Sequence, residues 1–260
     1  MDLVQRAHID IRLQGLAGAG AAVVVAIALG AGPALAAPAG APSPLAGYWI
    51  NTTPRTLKAG PVVKGTPTFR TSDGLLIPLL PEVAKMLAER RNGGEDIVAK
   101  PHFGADGGAA APAYKLPCLT PGMPSVAAPW PPYPIEFVVK PEQVSVLLGF
   151  YRNYRIIRMN TDHPEDPDPA FMGDSIGRWD KGTLVVDTVA VRPETVILGA
   201  IPHSDQLHIV ERIRPIGKNT LESRITIDDP KTFSKPWTTT SRFKKENISD
   251  IPDYACGLDK

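Results

Sequence analysis

The sequence predicts an all-β protein in which an antiparallel meander closes into a barrel, with one short helix and long N-terminal loops. Apolar runs with an alternating pattern recur between residues 135 and 245, and turn residues such as Lys181-Gly182 separate them. Regularly spaced strands of this kind are typical of barrels and sandwiches. Closure of about eight strands is favoured because it removes exposed sheet edges and leaves room inside for one small ligand.

The chain begins with the pattern of a secretory signal peptide. Arg6 and Arg12 precede an apolar run at 16–29, and the small residues Ala34-Leu35-Ala36 follow it. This order predicts export and cleavage. The alternative is a retained membrane anchor, but the run is shorter than the roughly 20 apolar residues that a spanning helix needs. We therefore expect a periplasmic or secreted protein with no stable membrane insertion after cleavage.

These boundaries divide the chain into a signal peptide at 1–36, a linker rich in Pro, Ala and Gly at 37–46, and a single β-barrel domain at 47–260. The formal net charge is +1, and no basic or acidic block is present. The sequence therefore lacks the charged segment that is typical of proteins binding nucleic acid or a membrane surface. The expected partner is a small hydrophobic or aromatic molecule.

The chain contains two cysteines, Cys118 and Cys256. In an exported protein a disulfide between them is the default expectation. It would tie the C-terminal tail to the middle of the chain. A catalytic cysteine is not favoured, because neither residue lies in a nucleophile motif.

The helix is predicted at 81–91. Pro81 suits the first helical position, Glu82 suits the first turn, and Asn92-Gly93-Gly94 ends the helix. The following loop, 93–134, is rich in Pro, Gly and Ala. Such a long loop is either a binding loop or lid, or a wrap over one end of the barrel.

Strand patterns account for most of the remaining chain. The first strand is predicted at 45–51, and the others at 135–139, 144–151, 154–159, 173–179, 183–191, 207–215, 221–228 and 237–245.

Glu211 is an ionisable residue on an apolar strand face. Strand alternation places it on the same face as Ile209 and Ile213. A carboxylate in such surroundings has to be paired or neutral, because burying a bare charge costs several kcal/mol. We expect Glu211 either to form a structural ion pair with an arginine of a neighbouring strand or to line a ligand cavity.

A further set of side chains is expected to bind ligand, because tyrosine and arginine lining a barrel suit an anionic or phenolic group. The alternative is that each is an exposed edge residue. The set comprises Tyr151, Tyr154, Arg155, Arg158, Arg178, Trp179 and Asp205, of which the three arginines are also possible partners of Glu211.

His203 and Asp187 complete the candidate catalytic residues with Glu211. Asp187 interrupts an apolar run near a strand end, so it either lines the cavity or caps the next loop. His203 opens the tripeptide His203-Ser204-Asp205 before the strand that carries Glu211. A histidine that titrates near neutrality is a good general acid or base, whereas a loop histidine can also be merely exposed to solvent.

Several chemistries lack their motifs. A metal site formed by His203, Asp205 and His208 is not expected, because the spacing matches no familiar ligand pattern. The sequence contains no nucleophile elbow, phosphate-binding loop, dinucleotide fingerprint or His-Glu-x-x-His motif. Serine hydrolase, kinase, dinucleotide oxidoreductase and zincin functions are therefore disfavoured, and no cofactor is expected.

The C-terminal half carries a set of linked motifs. These are Gly177-Arg178-Trp179 continuing to Asp187-Thr188, then His203-Ser204-Asp205, Glu211-Arg212, and Asp229-Pro230 followed by Pro236-Trp237. With them the chain resembles an exported bacterial lipocalin-like family of largely unknown function. The resemblance implies a secreted, lipocalin-like β fold, and Gly47-Tyr48-Trp49 also resembles the start of such barrels. Many members carry His-Pro-His-Ser-Asp where this chain has Ile201-Pro202-His203, which argues further against a two-histidine metal site.

Two functions are predicted from these residues. The leading one is a cofactor-independent acid/base enzyme, of the lyase or isomerase type. It would use His203 with Glu211 or Asp187 for proton transfer on a small hydrophobic, aromatic substrate, for example in the elimination of water or formaldehyde. The alternative is a non-catalytic binding protein for a hydrophobic small molecule. A third possibility is an interaction module with a solid core.

Overall fold

The structure is a computed structural model that describes residues 43–53, 60–63, 66–92, 120, 122–127, 133–149, 153–198 and 200–251. These residues belong to one compact unit, Pro38–Lys260. The expected signal peptide, both cysteines and Tyr151 lie outside the described residues. The signal peptide and the disulfide between Cys118 and Cys256 therefore remain predictions.

Within the described residues, nine strands form a closed barrel, which confirms the predicted fold class. The strands are β1 (Gly47–Asn51), β4 (Pro134–Val139), β5 (Gln143–Leu148), β6 (Asn153–Met159), β7 (Asp174–Asp180), β8 (Thr183–Val189), β9 (His208–Gly217), β10 (Thr220–Asp228) and β11 (Trp237–Lys245). Around the barrel the order is β1-β11-β10-β9-β8-β7-β6-β5-β4, and β1 pairs with β4 to close it. A separate two-stranded sheet contains β2 (Gly60–Val63) and β3 (Thr66–Thr68).

One strand pair departs from the predicted antiparallel meander. β6 and β7 run parallel and share the pairs Arg158↔Ile176 and Met159↔Gly177, whereas the other barrel pairs are antiparallel. A parallel pair needs a long crossover, because the chain has to return to the starting end of the sheet. The proline-rich segment 160–173 provides this connection.

The predicted helix is confirmed as α1, Pro81–Asn92. Its buried side chains Val83 and Leu87 pack in the same core cluster as Phe69 and Trp237. Among the described residues, no helix has the length and apolar character needed to cross a membrane.

Two apolar clusters fill the described part of the domain. The first contains the buried residues of α1, together with Ile209 at the start of β9 and Ile227 near the end of β10. The second lies within the barrel and includes Trp49, whose indole nitrogen donates a 2.8 Å hydrogen bond to the carbonyl oxygen of Leu45. Val126, from the long loop before β4, packs against both clusters.

Candidate functional site

Arg155 and Glu211 form an ion pair inside the barrel. The Arg155 Nη1 atom lies 2.6 Å from Glu211 Oε2, and the two residues are only 5% and 2% exposed. Both positions alternate with apolar core residues along their strands, Ile157 in β6 and Ile213 in β9. This is the ion-pair alternative considered for Glu211 in the sequence analysis, with Arg155 as the partner.

The Arg155 guanidinium reaches Glu211 across two intervening strands. On the way, Nε donates a 3.0 Å hydrogen bond to Ser175 Oγ of β7, and Nη2 donates a 2.7 Å hydrogen bond to Thr188 Oγ1 of β8. The two hydroxyl oxygens are 3.1 Å apart and hydrogen-bonded to each other. The network therefore connects four consecutive barrel strands, β6 to β9, by side chains. β6 and β7 share only a short parallel ladder, and neither Arg155 nor Ser175 belongs to it.

Two polar atoms near this network have no hydrogen-bond partner among the described residues. Glu211 Oε2 is buried and close to Arg155, but the geometry does not form an aligned hydrogen bond. The Ser223 hydroxyl, on the inner face of β10, is also buried and unpaired. Buried polar groups are usually satisfied, so each such group requires an explanation.

A partly enclosed cavity of about 30 Å³ lies against this network. Its polar lining residues are Arg155, Glu211 and Ser223, and its other walls are apolar. The apolar lining comprises Val126, Ala127, Ile135, Phe137, Val146, Leu148, Ile213 and Phe243. Since a water molecule needs roughly 10–15 Å³ of such space, this volume holds about two waters or the end of a larger molecule. Val126 and Ala127 show that the described part of the 93–134 loop covers the barrel interior.

His203 lies in a separate, buried position in the loop between β8 and β9. Its Nδ1 donates to the carbonyl oxygen of Ser204 at 2.9 Å, and its Nε2 is 2.6 Å from Thr195 Oγ1. Because a carbonyl oxygen only accepts, Nδ1 carries a proton. For the same reason the Thr195 hydroxyl, which lies next to Nε2, is the donor in its 3.0 Å hydrogen bond to the Met123 carbonyl oxygen. Burial lowers the pKa of His203 below its usual value, against opposing contributions from the Ser204 carbonyl and the Asp229 charge.

The three expected catalytic residues do not contact one another. The hydrogen-bond partners of His203 are Thr195 and Ser204, and the ion-pair partner of Glu211 is Arg155. Asp187 instead contacts His163 and His208. No hydrogen bond or ion pair among the described residues joins any two of the three.

Asp187 does not line the cavity, which was one of the two alternatives for this residue. Val186 pairs with Glu211 across β8 and β9, so the inward face of β8 carries Val186 and the fully buried Thr188. Asp187 points to the outer surface, where its side chain is 29% exposed. Its strand gave a misleading signal because Leu184, Val185 and Val186 are all apolar and buried, which hides the two-residue alternation.

A polar cluster surrounds Asp187 on the outer wall. The carboxylate of Asp187 is 3.1 Å from His163 Nε2 and 2.9 Å from His208 Nε2. His163 also contacts Asp174, which pairs with Arg158 at 2.8 Å. These contacts fasten the 160–173 crossover to the barrel. Within the described part of the chain, no group of three or more His, Cys, Asp or Glu residues is arranged to hold a metal ion.

Asp229 is a functional residue that the sequence patterns do not single out. It is fully buried, and its carboxylate accepts hydrogen bonds from the Ser204 amide at 2.7 Å and the Ser204 hydroxyl at 2.8 Å. It also accepts from the Thr232 hydroxyl and the Lys231 amide. Asp229 therefore organises the loop that carries His203. Its place in the Asp229-Pro230 motif was the available signal.

The other described members of the expected ligand-binding set do not line the cavity. The side chain of Asp205 is 78% exposed and pairs with Lys231 at 2.8 Å. Tyr154 is 61% exposed, and Arg178 is also exposed. Arg158 belongs to the outer cluster, whereas Trp179 packs against the barrel core. Of the expected set, Arg155 alone among the described residues reaches the cavity.

Comparisons with known proteins add no relative. The chain matches no family model, no curated protein and no solved structure. The resemblance suggested by its motifs therefore stays a prediction.

Proposed function

We propose that this protein binds a small hydrophobic molecule in the barrel cavity beside Arg155 and Glu211. The observation that carries the proposal is the coincidence of a buried ion pair with an otherwise apolar, partly enclosed cavity inside a closed barrel. Ligand sites of proteins are typically concave and mainly apolar, with a few placed polar groups that fix orientation. The cavity has this composition.

Binding is better supported than acid/base catalysis. Proton transfer by His203 with Glu211 or Asp187 requires these groups to approach the same substrate, but their described contacts lie in three different environments. The lyase or isomerase function stays a prediction.

The cavity is smaller than a complete aromatic ligand, so binding requires its walls to adjust. Small movements of side chains are common when ligands and partners bind. Val126 and Ala127 belong to a loop rather than to a strand. They are the lining residues that can move without breaking hydrogen bonds between barrel strands. We propose that the ligand enters on this side.

A cavity-filling substitution tests the proposal. Val126→Phe places a larger side chain in the cavity, whereas Val210→Phe adds the same bulk to the outer face of β9 as a matched control. Titration with small aromatic probes, phenol and toluene, is followed by side-chain methyl chemical shifts. Binding that is lost in Val126→Phe and kept in Val210→Phe supports the cavity. Absence of binding by both probes, or binding unaffected by Val126→Phe, contradicts it.

We also propose a periplasmic or secreted location, on the basis of the basic, apolar and small-residue order at 1–36. N-terminal sequencing of the protein recovered from the periplasm or medium tests this. A mature chain that starts near residue 37 supports export, and an intact N-terminus in the cytoplasm contradicts it. Thiol counting under non-reducing conditions tests the Cys118–Cys256 disulfide in the same sample.

A further inference from the structure

We propose that the cavity selects ligands that carry a hydroxyl group, and that Glu211 Oε2 and Ser223 Oγ receive this group. The inference rests on the proposed binding function and deepens it by naming the ligand chemistry. Its basis is that two of the buried polar atoms without a hydrogen-bond partner in the described structure line the same cavity.

The two atoms have complementary hydrogen-bonding roles. An ionised carboxylate oxygen only accepts, whereas a serine hydroxyl can donate and accept. A ligand hydroxyl can therefore donate its proton to Glu211 Oε2 and accept the proton of Ser223 Oγ. A ligand amine lacks the acceptor function when protonated, and a ligand carboxylate would meet the negative charge of Glu211. A neutral hydroxyl satisfies both protein atoms.

Strand register places the two residues on the same inner wall. Glu211 of β9 lies opposite Ile225 of β10, and Ser223 lies opposite Ile213. Glu211 and Ser223 are therefore diagonal neighbours on one face, about 7–8 Å apart at their Cα atoms for such a position. One polar group between their side chains can reach both, because each side chain extends toward the cavity.

Arg155 leaves the acceptor on Glu211 available. Its Nε and Nη2 donate to Ser175 and Thr188, so two of its donor groups are already engaged. Its contact with Glu211 Oε2 is an ion pair without hydrogen-bond alignment. A carboxylate oxygen can accept more than one hydrogen bond, so Glu211 Oε2 can receive a ligand hydroxyl beside its 2.6 Å contact with Arg155. The apolar lining residues, including Phe137 and Phe243, would contact the hydrocarbon part of the ligand.

Phenol and toluene provide a direct test, because they have similar size and shape and differ in one hydroxyl against one methyl group. We expect the purified protein to bind phenol about tenfold more tightly than toluene, since a site with unpaired polar groups rejects an analogue that lacks the hydroxyl. In Ser223→Ala and Glu211→Gln this preference should fall to about twofold or less. Ser145→Ala, which removes a hydroxyl from β5 outside the cavity lining, should retain it.

The outcomes separate the two proposals. If phenol and toluene bind equally well, the cavity binds ligands but the hydroxyl selectivity is wrong. If neither binds, the binding function itself is wrong, and the two unpaired atoms are served by buried water only. A phenol preference that Ser223→Ala leaves unchanged also overturns the assignment. If Glu211→Gln fails to fold, the phenol preference of Ser223→Ala alone tests the assignment.

Discussion

Arg155 of β6 and Glu211 of β9 meet at 2.6 Å in the barrel interior, although two strands separate them in the sheet. The Arg155 side chain spans this distance along the inner wall and is held by Ser175 and Thr188 on the way. The arrangement places a buried carboxylate beside a mainly apolar cavity. It predicts that loss of one partner costs more stability than loss of both.

Removal of one member of this pair should be strongly destabilising. We expect Glu211→Gln to lower the free energy of unfolding by about 3–5 kcal/mol, because it leaves the Arg155 charge buried without a counterion. The double variant Arg155→Met/Glu211→Leu should recover most of the loss, since no uncompensated charge remains. Urea unfolding of both variants measures the difference. Arg212→Met, which breaks the exposed pair with Asp180, is the control and should cost less than about 1 kcal/mol. A double variant as unstable as Glu211→Gln would contradict this account.

The two inner hydroxyl groups of Ser175 and Ser223 should respond differently to alanine substitution. Ser175→Ala removes an acceptor for Arg155 Nε and a partner of Thr188, so we expect a loss of about 1–3 kcal/mol. Ser223→Ala removes a hydroxyl without a partner and should be neutral or slightly stabilising in the absence of ligand. Thermal and urea unfolding of the two variants provide the comparison. Equal destabilisation would show that the Ser223 hydroxyl is paired.

Asp229 should be more important for stability than the exposed Asp205. Asp229→Ala deletes the acceptor of four hydrogen bonds and leaves the Ser204 donors unpaired, with an expected loss of about 2–4 kcal/mol. Asp205→Ala breaks a surface pair with Lys231 and should change stability by less than about 1 kcal/mol. Hydrogen exchange of the Ser204 amide should accelerate in Asp229→Ala only. Similar effects of both substitutions would rule out this role for Asp229.

The buried His203 should make stability depend on pH. Its pKa is lowered in the folded protein, mainly by burial, so the folded state binds fewer protons than the unfolded state as the pH falls. The contribution of His203 is complete above the unfolded pKa of about 6.5 and is lost as the pH falls below that value toward the folded pKa. We expect the stability of the unmodified protein to fall between about pH 7 and pH 5 more steeply than that of His203→Gln.

NMR titration of the His203 ring checks the same point directly. A midpoint below that of an exposed histidine agrees with the buried, neutral ring. A midpoint above it, or identical pH dependence in His203→Gln, would be inconsistent with the described environment.

Strand periodicity explains which site residues could be found before the structure. Glu211 was correctly placed on the inner face because Ile209 and Ile213 flank it with a clear alternation. The pattern does not fix the face of Asp187, since three consecutive buried apolar residues precede it and Val185 is buried although it faces outward. Alternation in the sequence identifies the inward face of a strand only where the residues of the outward face are polar.

No local pattern in the sequence predicts that His203 and Glu211 lie in different environments. The two residues are close in sequence, but the loop that carries His203 is held by Thr195 and, through Ser204, by Asp229. Buried polar contacts of this kind join residues that are distant along the chain, and no pattern in a single segment reveals them.

The sequence by itself determined the all-β class, the positions of the helix and most strands, and the inward direction of Glu211, because these follow from local periodicity and backbone preferences. The tertiary structure alone decided that β6 and β7 pair in parallel, that Arg155 is the partner of Glu211, and that Ser223 shares their cavity. Barrel closure brings side chains of non-adjacent strands to one interior space. Which of them meet there depends on strand order and register, and these are properties of the whole sheet.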